Sequence, residues 1–391
     1  MKNVLIYLYK SQLRPIGGPK GYNYNLYKQF EKMGVTNIHF IETQKGDVQS
    51  IKDTINNIKI ALIRNVAIIL KSFLRKLSLL YGFRHRSVID LDKYDVVHFQ
   101  STVEMYQCRD SLKSYKGKVV LTSHSPTLKS KEVIDEVTNF EKKYLMWLYK
   151  KLIRMDQYAF NRADYIFFPC EEAEEPYIHA WDCFEKIKKQ NPSKFKYLLS
   201  GIEPCVPKLS NEEIRKKYKI PKEAFVICYV GRHNEIKGYD QLKNIGDFLL
   251  KENENVYFLI AGKESPIQGL HHERWIEVGW TNDPHSLIAA ANVFVLPNKE
   301  TYFDLVMLEV LSLGAIVVAS KTGGNKYFEK MQPNGIYLYE DTKHAVKILE
   351  ELMELPEFEF AAKKDLNKKI YEENLTSSKF ANSYIELIES L

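Results

Sequence analysis

The chain has 391 residues, 45% of them hydrophobic, 27% charged and 13% aromatic, with a formal net charge of +6; that length sets two domains as the expectation, and so small a charge excess gives no case for a nucleic-acid partner. Cys108, Cys170, Cys183, Cys205 and Cys228 are odd in number and lack CxxC spacing, which speaks against a disulfide framework or a zinc site and for a reducing compartment. No stretch reaches about 18 uncharged apolar residues and the N-terminus reads as a strand rather than a leader, so neither a transmembrane helix nor secretion is expected and the cytoplasm is the default.

Residues 2–9 form an apolar run of buried-strand type. The Gly- and Pro-punctuated segment Arg14–Gly21 follows, then a helical pattern that stops at Gly34. Strand, glycine loop and helix in that order let backbone N–H groups approach an anion at Gly17 and Gly18, although a plain βα turn reads the same way. Further strands are expected at Asn37–Ile41, Asp95–Phe99, Lys118–Thr122 and Tyr165–Pro169, alternating with helices as in a doubly wound parallel sheet. His98 and His124 lie at the ends of two of these strands, facing the ligand crevice of such a sheet, though a lone histidine is more often structural.

Residues 51–87 differ in texture from their surroundings. Eight basic residues stand against Asp53, and Leu62, Val66, Ile69, Phe73, Leu77 and Leu80 form one helical stripe. A basic amphipathic helix is either a membrane-surface element or a core-packed helix with a solvated basic face. The aromatic and basic run Lys142–Arg154 favours the membrane reading, with an anionic surface as partner.

Around residues 200–222 Gly and Pro mark a linker, and the domain boundary is placed at 205/206. The second domain is expected to carry strands at Phe225–Val230, Val256–Ala261, Trp275–Val278, Val293–Leu296 and Ile316–Ala319, extending to residue 370. A long mixed-charge helix, about Lys363–Leu391, ends the chain, and residues 371–391 are expected to pack back on the first domain.

The chemistry gathers at strand ends in this second domain. Arg232 and Lys237 flank the loop after its first strand, and two cations there suit a diphosphate that departs as a leaving group. Glu300 and Glu309 bracket a turn that opens at Pro297, and a carboxylate accepts two hydroxyl protons of a ribose or sugar diol. Gly323-Gly324 is another place for close backbone approach. Asp90-Leu-Asp92 matches a metal-binding DxD pattern but precedes its strand, and is read as a solvated turn.

In these motifs the sequence resembles the retaining glycosyltransferases of the GT4 family, which have the GT-B fold of two Rossmann-like doubly wound parallel-sheet domains across a cleft. The likeness rests on Gly231-Arg232 with Lys237-Gly238, on Pro297 through Gly314, on Val317–Ser320 and on Gly323-Gly324. It is looser in the first half, where it rests on Gly17-Gly18, Asp95–His98, Thr122-Ser123-His124 and Asp164. The resemblance implies an α/β chain with an acceptor-binding domain (1–205) and a nucleotide-sugar-binding domain (206–370). It implies catalytic roles for Lys237, Arg232 and His124. Donor contacts would come from Gly18, Arg232, Lys237, Glu300, Thr301, Phe303, Asp304, Leu305 and Glu309, and acceptor contacts from Gly17 and His98. The co-substrate would be a nucleotide-diphosphate sugar, with no metal and no other cofactor, and the acceptor a glycan or lipid-linked sugar. One position departs from the family pattern. Eight residues before Glu309 stands Thr301, where the family has a glutamate, and Glu300 is one place earlier. A non-catalytic relative that only positions an acceptor, and a sugar-nucleotide epimerase, are the competing readings.

Overall fold

The computed structural model describes residues 1–15, 18–42, 70, 73–80, 89–125, 127–135 and 145–391. Its apolar runs form two six-stranded sheets. The first contains β1 (Val4–Tyr9), β2 (Ile38–Ile41), β3 (Val96–Phe99), β4 (Lys118–Leu121), β5 (Tyr165–Phe168) and β6 (Phe195–Tyr197) in the order β2-β1-β3-β4-β5-β6. The second contains β7 (Phe225–Val230), β8 (Val256–Ala261), β9 (Trp275–Gly279), β10 (Val293–Leu296), β11 (Ile316–Ser320) and β12 (Ile336–Tyr339) in the order β12-β11-β10-β7-β8-β9. Every pairing is parallel. Helices cover both faces, which is why β3, β10 and β11 are buried at every residue and β10 reads as an unbroken apolar run.

The strand order fixes where a ligand can sit. It reverses between β1 and β3 in the first sheet and between β10 and β7 in the second, and crevices open beyond the carboxyl ends of strands at such reversals. The loop carrying Arg232 and Lys237 leaves β7, and the turn at Pro297 leaves β10. The expected donor motifs are therefore neighbours because of topology, although they lie some sixty residues apart in sequence.

The two domains meet through these same strand ends. The Tyr302 hydroxyl, beyond β10, donates to the Phe167 carbonyl of β5 at 3.1 Å, and its ring lies 5.5 Å from that of Phe168. Lys330 pairs with Glu172 and Lys326 with Glu175 across the boundary. One apolar cluster runs without a break from Val97 and Phe168 in the first domain to Phe294 and Val317 in the second.

The chain crosses between the domains a second time near its end, and here the expected single helix is corrected. It is two helices, Glu357–Asn374 and Ser377–Ser390. The first belongs to the second domain, where buried Asn367 donates to the Ala315 carbonyl at 2.7 Å and accepts from the Gly335 amide at 2.8 Å. Thr376 N-caps the second helix, its hydroxyl accepting from the Lys379 amide, and pairs with Ile202 of the first crossing. The last helix then lays Phe380, Ala381, Tyr384 and Ile388 on Val4, Ile6, Tyr22 and Leu26. The two crossings lie side by side: the Ile202 amide donates to the Leu375 carbonyl and the Ser377 amide to the Ile202 carbonyl.

Most of the basic segment 51–87 lies outside the described residues. Residues 73–80 are helical, with Phe73, Leu77 and Leu80 set against Leu148, Leu152 and Met155, and Lys76 buried with its ammonium 3.4 Å from the Tyr149 hydroxyl. For this part of the stripe the core-packed reading is the one observed. No helix among the described residues is long and apolar enough to cross a membrane.

Candidate active site

The loop after β7 is locked onto the turn after β10. Gly238 has φ +63°, and a Cβ there would come within 1.6 Å of the Pro297 carbonyl oxygen, so both conformation and contact demand glycine. The Lys299 amide donates to the Ile236 carbonyl at 3.0 Å, fixing the same junction. This docking carries the Lys237 ammonium to the Asp304 carboxylate, Nζ to Oδ2 at 2.6 Å. Asn298 donates to the same oxygen at 2.5 Å. Burial acts to raise the Asp304 pKa, but Lys237, Asn298 and the charge of Arg232 together hold it below the ordinary value. Arg232 itself is exposed at the mouth of this group.

The remaining residues of the β10 turn and the helix after it divide sharply. Glu300 reaches toward the first domain, its Oε1 3.4 Å from His179 Nδ1, and is 39% exposed. Thr301 is buried, and its hydroxyl has no partner among the described residues. Phe303, expected to touch the donor, has its side chain in the core, packed on Tyr327 and Phe328. Leu305, the first residue of the helix Leu305–Ser312, packs against the core. Glu309 lies one turn on, its Oε2 3.7 Å from His285 Nε2. Cys205 and the Glu309 carboxylate beside the ring raise the imidazole pKa to about 10, favouring an imidazolium next to Glu309.

Gly323-Gly324 does approach another backbone closely, but that backbone is the chain's own. A Cβ on Gly323 would lie 2.0 Å from the Thr301 carbonyl oxygen, and one on Gly324 2.2 Å from that of Tyr302. These glycines shape the turn that follows β10. The Gly323 amide also donates to Glu175 of the first domain at 3.3 Å.

In the first domain Gly18 opens the helix Gly18–Met33 and is exposed, with free space where a Cβ would stand, while Gly17 lies outside the described residues. His124 has φ +55°, a conformation that side chains seldom adopt. Its Nε2 lies 2.7 Å from Gln100 Oε1, which also accepts from Asn23. A carbonyl oxygen only accepts, so this bond assigns the proton to Nε2 and leaves Nδ1 as an acceptor. Burial lowers the His124 pKa to about 3, so the ring is neutral at pH 7. His98 is different. It is fully buried, Nδ1 bonded to the Tyr384 hydroxyl at 2.9 Å and Nε2 to Thr122 Oγ1 at 2.8 Å. Both nitrogens are used inside the core, so the expected acceptor contact is replaced by a structural one.

Asp164 is likewise structural, accepting from the Val119 amide at 2.8 Å. The DxD match is a turn: Asp90 accepts from the Asp92 amide at 3.3 Å and caps residues Leu91–Lys93. Asn298 and Tyr302 are the residues that sequence reasoning passed over. Both lie in the turn after β10, yet an Asn and a Tyr in a loop carry no signal of their own.

With this geometry in hand, likeness to known proteins is informative. The family profile described as glycosyl transferases group 1 matches residues 210–372, and that of glycosyltransferase family 4 matches residues 16–188. The chain belongs to the GT-B glycosyltransferases of the GT4 kind. The UDP-Gal:alpha-D-GlcNAc-diphosphoundecaprenol alpha-1,3-galactosyltransferase of Escherichia coli is 24% identical over 162 residues, which are 38% of this chain and 42% of that protein. An uncharacterized glycosyltransferase of Methanocaldococcus jannaschii is 29% identical over 162 residues, 37% of this chain and 41% of its own. The chain thus spans about two fifths of the length of the curated relatives it matches. HepE of Anabaena, crystallised with UDP and glucose, superposes with a TM-score of 0.60 over 100% of both chains at 13% identity, a likeness of fold.

Proposed function

We propose that this GT4-type protein transfers a sugar from a nucleotide-diphosphate donor to a glycan or lipid-linked acceptor, with retention at the anomeric carbon and without a metal. The observation that carries the reading is the junction of the β7 loop with the β10 turn, which sets Lys237 and Arg232 beside Asp304 where the strand order reverses. The diphosphate would lie against Arg232 and Lys237, and Glu309 would take the ribose hydroxyls. An acceptor hydroxyl attacks the anomeric carbon on the face that the diphosphate leaves. The bond from that carbon to the β-phosphate oxygen breaks, and the acceptor proton passes to the departing phosphate. Fixed cations stabilise the charge that develops there, the role a metal plays in other transferases. His124, neutral and bonded to Gln100, would meet the sugar through Nδ1. The Escherichia coli relative, named for a UDP-galactose donor and a diphosphoundecaprenol-linked acceptor, supports this donor and acceptor class. Cell-surface glycan synthesis on the inner membrane face, with residues 51–87 touching anionic lipid, completes the proposal.

A panel of UDP, GDP, ADP and dTDP sugars, with the bare diphosphates, tests donor binding by thermal shift, since a ligand of the folded state raises the melting temperature by mass action. At least one nucleotide is expected to raise it, and no shift with any at millimolar concentration contradicts the reading.

A second reading, a non-catalytic subunit that positions an acceptor, is favoured by the same turn. Thr301 stands where the family has a glutamate, Lys237 is already paired with Asp304, and Tyr302 stands between the domains. Between Tyr22 and Thr122 on one side and Tyr302 on the other the free volume is about 10 Å³, room for a single water molecule. Under that reading Lys237→Ala leaves biological activity intact.

A further inference from the structure

The family's glutamate position is empty of carboxylate here, and neither neighbour fills the role by geometry. Thr301 is buried, and Glu300 turns to His179 of the other domain. Asp304 is the carboxylate of this turn that meets Lys237. It is the N-cap residue of the helix Leu305–Ser312, with φ −73° and ψ 128°, yet its side chain makes no capping hydrogen bond. An aspartate at this position ordinarily accepts from an amide of the first turn, which stabilises the helix. Here the carboxylate is turned away from that bond and toward the strand ends.

The two oxygens of Asp304 are used unequally. Oδ2 accepts both from Lys237 at 2.6 Å and from Asn298 at 2.5 Å. Oδ1 has no protein partner among the described residues, and it is not sealed from solvent. The side chain is 22% exposed, so it is held by two donors but still open on one edge. Lys237 and Asn298 keep the group ionised and fixed, which makes Oδ1 an acceptor set in place before any ligand arrives. The chemistry that fits such an atom, next to cations suited to a diphosphate, is a hydroxyl of the sugar attached to that diphosphate.

We infer that Asp304, through Oδ1, binds a hydroxyl of the donor sugar and so takes the role that the missing glutamate would have had. This rests on the donor reading above. Lys237 is then shared: the carboxylate holds it ready, and the diphosphate completes its coordination. Asp304 adds affinity for the sugar while subtracting one positive charge from the phosphate clamp. Its removal therefore acts in opposite directions on a sugar nucleotide and on the bare diphosphate.

The test is a titration calorimetry comparison of UDP with UDP-glucose and UDP-galactose, on the full chain and on Asp304→Asn, with GDP and GDP-mannose as the alternative set. Asp304→Ser is the second variant, since serine restores an N-cap without a charge and guards against a folding defect. A hydrogen bond to a charged group is worth about tenfold or more in affinity. Both variants are expected to lower the preference for sugar nucleotide over bare diphosphate by at least fivefold, with binding of the bare diphosphate unchanged or tighter. A smaller change in that preference, or a rise, overturns the assignment while leaving the donor reading standing. If the wild-type chain binds neither of these sets nor the ADP and dTDP nucleotides of the thermal-shift panel, the donor reading fails and this inference fails with it.

Discussion

At the scale of single residues the site is governed by contacts between positions far apart in sequence. Gly238 shows this most directly. Its φ of +63° and its approach to the Pro297 carbonyl leave no room for a side chain. Gly238→Ala is therefore expected to cost about 2 kcal/mol or more from strain and displacement of the turn, read as a lower melting temperature and weaker nucleotide binding together. A loss of neither would mean that the junction of the two loops is not as described. His98 provides a pH test. Burial lowers its pKa from 6.5 to about 3 in the folded chain. Below pH 6.5 the unfolded chain takes up a proton that the folded chain refuses, so this contribution to stability is present above pH 6.5 and is lost as the pH falls toward 3. Denaturant titrations of His98→Gln are expected to show a shallower loss over that window than wild type. His124, lowered in the same way, keeps part of the slope.

At the scale of elements, legibility followed local pattern. Strands such as β7, β8 and β10 were readable because both faces are covered and the apolar run is unbroken. β6 was not, since Phe195-Lys196-Tyr197 is three residues long with a lysine in the run, and β12 (Ile336–Tyr339) went unread although it is as long as β10. The final helix looked continuous because nothing at Leu375-Thr376 breaks a helix locally. Its interruption comes from a tertiary demand, the pairing of Thr376 with Ile202 that returns the chain to the first domain. The cation pair was legible as a motif, whereas the bond from Lys237 to Asp304 was not, because 67 residues separate them and no spacing rule connects strand ends. His98 misled for the opposite reason: a histidine at a strand end has the same sequence signature whether it faces the crevice or a tyrosine in the last helix. That helix yields its own prediction. Phe380 is buried against Tyr22, and Phe380→Ala is expected to cost about 3–5 kcal/mol, as large-to-small core substitutions do, measured by denaturant unfolding. A loss under 1 kcal/mol would mean that the crossing helix is not part of the first domain's core.

At the scale of the whole molecule, two parallel-sheet domains present their strand ends to one another and are joined by two adjacent crossings and by Tyr302. The ion pairs Glu172–Lys330 and Glu175–Lys326 decorate this boundary. Each is a modest contributor beside the continuous apolar cluster beneath. Association with a membrane is also a property at this scale. If the basic segment 51–87 meets lipid, the full chain is expected to sediment with vesicles containing anionic phospholipid at low salt and to release at about 0.5 M salt, where the Debye length has shrunk to a few ångströms. Equal sedimentation with neutral vesicles would contradict it. Catalysis itself is the central claim, and Lys237 is where it is most exposed to test. The direct measurement is transfer of radiolabelled sugar from a panel of nucleotide sugars to membrane lipid extract, comparing wild type with Lys237→Ala of verified fold. Wild type is expected to label a lipid-linked or glycan product with at least one donor, and Lys237→Ala to lose about a hundredfold or more of that rate, the scale of removing a group that stabilises transition-state charge. Undiminished transfer by Lys237→Ala, or no transfer by wild type from any donor, would contradict it.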